Sequence, residues 1–95
     1  MTVHRMTAAD GAVFEVHVGA DEWIVDVSGP WPTREGATFS LEGALPDHAP
    51  AADVPDAIRQ VAADTGREVC FYDPVGCRTC FCDARGRLLH CEKMC

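Results

Sequence analysis

Six cysteines fall within the last 26 residues, at Cys70, Cys77, Cys80, Cys82, Cys91 and Cys95, spaced C-x6-C-x2-C-x-C-x8-C-x3-C, and none precedes them. Thiols at this density either cross-link in pairs or, as thiolates, hold a metal ion. An even count in a segment too short to own an apolar core suits a stapled module. Each bridge restricts the unfolded chain and contributes roughly 2–4 kcal/mol. Spacing alone does not choose among the possible pairings. The metal alternative uses Cys77 and Cys80 as a CxxC knuckle, whose thiolates can reach one tetrahedral ion. Cys91 and Cys95, or His90 in place of one of them, would complete a structural zinc site of four cysteines or of three cysteines and a histidine. That use leaves Cys70 and Cys82 unassigned. Cys77-Arg78-Thr79-Cys80 also has the spacing of a reactive dithiol, without the strand–helix context that such a motif needs.

Outside this cluster the chain offers little for catalysis. It has no nucleophile–base–oxyanion set and no glycine-rich phosphate loop, and its four histidines are scattered. His17 and Asp26 read as polar residues on the wet face of a sheet. Trp23 reads as core, and Trp31, between Pro30 and Pro32, as the better surface aromatic. The expected class is therefore not an enzyme.

Charge narrows the partners. The formal net charge is −7, with twelve acids against four arginines in residues 1–69 and three acids against four bases in residues 70–95. An acidic body excludes nucleic acid, which needs a basic face. The near-neutral tail carries Arg78, Arg85, Arg87 and Lys93. No stretch is long and apolar enough for a membrane span, and no signal peptide is visible. Read literally, the chain is cytoplasmic; real disulfides would make it secreted.

The elements that must position the cysteines follow from hydrophobic periodicity. Val13–Val18 alternates, with Phe14, Val16 and Val18 on one face. Residues 23–27 place Trp23, Val25 and Val27 together, and residues 28–36, rich in Pro and Gly, form a loop. A third alternation sets Ala37, Phe39, Leu41, Gly43 and Leu45 against Thr38, Ser40 and Glu42. Residues 46–55 read as an acidic connector. Asp53 can cap a helix starting near Val54, with Ala57, Ile58, Val61 and Ala62 as its apolar stripe and Gly66 as its terminator. Residues 68–72 return as a strand. Asp83-Ala84-Arg85-Gly86 reads as a tight turn with glycine at positive φ, joining 79–82 to 87–91 as a hairpin that folds Cys91 back onto the other sulfurs.

The tail resembles pacifastin-type serine protease inhibitors. The resemblance lies in Cys77-Arg78-Thr79-Cys80-Phe81-Cys82, in Gly86, in Cys91-Glu92-Lys93-Met94-Cys95 and in the single upstream Cys70. The von Willebrand factor C module carries a similar C-x2-C-x-C element followed by glycine and cysteine. The resemblance covers residues 70–95 only and implies the pairs Cys70–Cys82, Cys77–Cys95 and Cys80–Cys91. It also implies a binding loop of Glu92, Lys93 and Met94, whose reactive bond follows Lys93. A lysine there suits the acidic pocket of a trypsin-like protease. The sequence departs from the family in its short first gap and in Arg78, which stands where the family has asparagine.

Together these readings predict an α+β chain. Residues 1–69 form a small antiparallel β-meander with one covering helix, and residues 70–95 follow as a cysteine-rich β-hairpin module. The expected function is binding of a protein partner, a trypsin-like serine protease on the family resemblance, with no cofactor. The first alternative is a cytosolic protein with structural zinc in the tail. The second is a cysteine-rich precursor carrying a folded leader domain.

Overall fold

A computed structural model describes residues 2–42, 53–85 and 87–94. Seven strands and one short helix are present among them: β1 Thr2–Ala8, β2 Val13–Val18, β3 Ile24–Ser28, β4 Thr38–Glu42, α1 Asp56–Asp64, β5 Glu68–Asp73, β6 Arg78–Cys82 and β7 Leu88–Glu92. All pairings are antiparallel, in the spatial order β3-β2-β1-β4-β7-β6-β5. The sheet curls until β3 approaches β5, giving a nearly closed barrel.

This overturns the expected α+β meander with a covering helix and an appended hairpin module. β4 pairs with β7, Phe39 opposite Cys91, so the cysteine-bearing strands belong to the same sheet as the N-terminal ones. β1 escaped the periodicity reading because its inward residues are His4, Met6 and Ala8, which carry weak strand preference. The helix does not cover the main core. It buries Ile58 and Ala62 against Val54, Val69 and Phe81 on the outer face of β5 and β6, and Val61 stays 49% exposed.

Three bulges set which side chains face inward, and one of them, at Leu89 in β7, lets Leu88 and Cys91 both enter the core. Val16 pairs with Val27 and Val18 with Ile24, so Val25 is an extra residue in β3 and the alternation slips by one. Ile24 and Val27 therefore enter the core, while Val25 is 51% and Trp23 37% exposed, against expectation. In β5, Val69 pairs with Phe81 and Phe71 with Cys80, leaving Cys70 unpaired between them. That irregularity turns both Cys70 and Phe71 into the barrel, where they meet Met6, Val16, Leu41 and Leu88.

Helix α1 starts at Pro55 without a side-chain cap; Asp53, at φ 55°, does not serve as one. Its end follows expectation. Gly66, at φ 70°, donates to Ala63 O at 3.0 Å, and Arg67 N–H reaches Ala62 O at 2.8 Å. This paired closure satisfies two carbonyls of the last turn and needs the left-handed residue that glycine supplies without strain. The expected turn from β6 to β7 is closed by Asp83, which accepts the amides of Arg85 and Arg87, each at 2.9 Å. Those amides, that of Arg87 foremost, hold its carboxyl below the ordinary value. Gly43, Leu45 and Gly86 lie outside the described residues.

Candidate functional site

The cysteines are mostly interior. Cys80 faces Cys91 across β6 and β7, with Cα atoms 4.0 Å apart and sulfurs bonded at 2.10 Å. Cys70 is bonded to Cys82 at 2.09 Å. All four have at most 1% of their surface exposed, and they form one wall of the barrel core. No described cysteine is a free thiol. These are two of the three pairs implied by the family resemblance; the third, Cys77–Cys95, falls on Cys95, which lies outside the described residues. Every form of the zinc alternative uses Cys80 as a thiolate, whereas here it is bonded to Cys91. His90 is turned away from the sulfurs on the outer face, stacked on Phe81 at 4.8 Å with its Nδ1 3.0 Å from the Arg67 guanidinium. Burial, then the Arg67 charge, lowers its pKa below 6.5, with Glu92 opposing. Among the described residues no three His, Cys, Asp or Glu side chains converge on one point.

The expected binding loop is sewn into the fold. Lys93 N–H donates to Ala37 O at 2.9 Å, and its carbonyl accepts from Gly36 at 2.8 Å. Its ammonium donates to Gly76 O at 2.6 Å. Met94 packs against the cluster under the helix, and its carbonyl accepts from the fully buried Thr79 hydroxyl at 3.0 Å. Glu92 lies opposite Thr38 and Thr79. A protease reads a substrate-like loop through free backbone groups and a basic side chain entering its pocket. Both features of Lys93 are engaged internally here.

Arg78 closes the barrel seam. Its guanidinium reaches Asp73 at 2.8 Å, Asp26 at 3.3 Å and Val27 O at 3.2 Å, between the rings of Trp31 and Phe71. Burial pushes the Asp73 carboxyl up, but the Gly76 amide, Arg78 and the Val75 amide outweigh it and leave the pKa below 3.8. Asp26 also accepts the Ser28 hydroxyl at 2.8 Å, and Ser28 Oγ lies 3.3 Å from His17 Nε2. This is not a nucleophile relay. The serine proton goes to a carboxylate, and Glu15 approaches the same His17 nitrogen, at 4.0 Å, rather than the other one.

Trp31 packs against the edge of the barrel core. The Trp31 indole donates to Val27 O at 2.7 Å and meets Phe14 and Phe39 edge-on, while those two rings stack at 4.8 Å. This corrects its reading as a surface aromatic: the ring is half-buried and braces two others. Beside it opens a cleft of about 240 Å³ lined by Ala8, Ala9, Asp10, Ala12, Phe14, Pro30, Pro32, Thr38, Phe39 and Ser40. Asp10 is the one ionisable residue among these, and its Oδ1 accepts the Ala12 amide at 2.9 Å. The cleft is preformed because its walls are fixed by the aromatic stack and by two prolines. Sequence reasoning missed it, since Phe14 and Phe39 read simply as core and only the two prolines around Trp31 hinted at a built surface. A shallower polar hollow, lined by Thr38, Phe39, Ser40, Arg67, Leu89 and His90, lies across β4.

Comparison with protein-family models, with curated proteins and with solved structures yields no match. No helix among the described residues is long and apolar enough to cross a membrane.

Proposed function

We propose that this chain is a non-catalytic binding protein, a disulfide-stapled β-barrel that offers a fixed cleft to an apolar side chain of a protein partner. The observation that carries this is the cleft bounded by Phe14, Phe39, Pro30 and Pro32, apolar and open yet rigidly walled. Pockets of this kind, with apolar walls and few polar groups, are where binding energy concentrates. The buried bridges support the reading by holding β5, β6 and β7 in register, which in turn holds β4 beside the cleft. Titrating the 15N-labelled oxidised protein with benzyl alcohol tests it. Saturable shifts confined to Ala9, Ala12, Phe14 and Phe39 are expected; shifts spread over the barrel, or none, would reject the cleft.

The family resemblance supports a second reading, protease inhibition through Lys93, because two bridges join the cysteines that the family joins. It requires Lys93 to leave Gly76 O for a protease pocket. A trypsin assay separates the two. On the cleft reading, wild type and Lys93→Ala are alike without effect; inhibition by wild type that Lys93→Ala abolishes would establish the second.

A further inference from the structure

The two ladders that flank β4 do not overlap along it. Toward β7 it pairs at Thr38, Phe39 and Ser40; toward β1 it pairs only at Leu41 with Ala8 and at Glu42 with Thr7. In an antiparallel strand successive residues point their amide and carbonyl to opposite sides. Three observations fix which residues point where. Ala37 O accepts from Lys93, so Ala37 and Phe39 face β7. Cys80 and Cys91 approach to 4.0 Å, the close spacing of a pair that exchanges no backbone bonds, so Cys91 directs its own toward β4. Ala8 N–H bonds Ala12 O, so Ala8 faces β2, while Thr7 and its partner Glu42 face each other. The backbone groups of Thr38 and Ser40 therefore point away from β7, to the side where β1 has already ended. Among the described residues no strand lies opposite them there, and that side is the cleft.

Resting on the cleft reading above, we infer that Thr38 and Ser40 form a docking edge for an extended segment of another protein. The segment adds as a short strand, seats one apolar residue against Phe39 and Phe14, and carries a basic residue toward Asp10. The backbone groups supply the strand-addition bonds and the cleft supplies side-chain choice, the usual division of labour in β-augmentation. The basic flank follows from charge: Asp10 is the one ionisable residue lining the cleft, on a chain of net charge −7. The edge is short, which limits indiscriminate pairing of the kind that long open edges invite.

The probe is the synthetic peptide acetyl-Lys-Val-Leu-Val-Lys-amide, titrated into the 15N-labelled oxidised chain. Saturable downfield shifts of the Thr38 and Ser40 amides are expected, with their hydrogen exchange slowed about tenfold or more. The same peptide N-methylated at alternate residues should lose binding, as should the Thr38→Pro variant, whose missing amide faces away from β7 and leaves that ladder intact. A Glu-flanked peptide should bind at least about fivefold more weakly at low salt. Leucine-dependent shifts at Phe14 and Phe39 that survive N-methylation and Thr38→Pro would sink the edge and leave the cleft reading standing. No response to the peptide overturns the edge, and no response to benzyl alcohol as well removes the cleft reading with it. Concentration-dependent dimers that protect Thr38 and Ser40 without peptide would replace the proposed partner by a second copy and overturn it.

Discussion

Replacing Cys80 and Cys91 together by alanine should cost this barrel a large part of its stability. The bridge spans a sequence separation of 11 residues, for which the chain-entropy relation gives about 3 kcal/mol. Both residues are fully buried, and deleting two interior sulfurs removes about 1 kcal/mol each of apolar burial, with some cavity cost added. The sum is about 5 kcal/mol. A chain of 95 residues has about 5–14 kcal/mol in total, at typical per-residue values. At roughly 4–8 °C per kcal/mol, Tm should fall by about 20–40 °C. Urea unfolding followed by the fluorescence of Trp31 and Trp23 should also show a larger m, because the uncrosslinked chain exposes more surface when unfolded. A loss of Tm under about 5 °C with unchanged m would refute the reasoning, since neither the loop constraint nor the buried contact would then be operating.

Three further outcomes follow from the same geometry. Gly29→Ala places a Cβ 2.2 Å from Cδ2 of Phe14, a buried ring held by Phe39 and Trp31, so it should destabilise by about 1–3 kcal/mol in thermal melts and broaden the cleft resonances. Arg78→Ala removes the seam contacts to Asp73, Asp26 and Val27 O; the half-exposed Asp26 arm is screened, so we expect a loss of about 1–2 kcal/mol by urea unfolding. Because the Asp73 carboxyl is held below 3.8, its stabilisation is present above that value and disappears as pH falls through the folded pKa, and Arg78→Ala should flatten this acid limb. His90 should titrate below 6.5 by NMR and rise toward that value in Arg67→Ala; its depressed pKa means stability declines as pH drops beneath 6.5, where the unfolded chain takes up the proton first.

The sequence by itself determined the strands β2 and β4, the helix terminator at Gly66, the β6–β7 hairpin and the convergence of the sulfurs, because these rest on local periodicity and turn chemistry. Its cysteine count and spacing pointed to a cross-linked tail. Tertiary structure decided the rest. A one-residue bulge at Val25 exchanged Trp23 for Ile24 in the core, and the sequence carries no signal for such a slip, since both phases offer apolar residues. β1 forms because β2 and β4 are there to pair with it, not because Met6 and Ala8 favour a strand. Lys93 looked available from its neighbours in the chain and is engaged by Gly36, Ala37 and Gly76, residues 17 or more positions away. Among the described residues β1 ends at Ala8 while β4 continues back to Thr38, so Thr38 and Ser40 have no β1 partner, a mismatch of strand lengths across a sheet. Periodicity tells a strand which face to bury; only the folded sheet decides which of its edges is left without a neighbour.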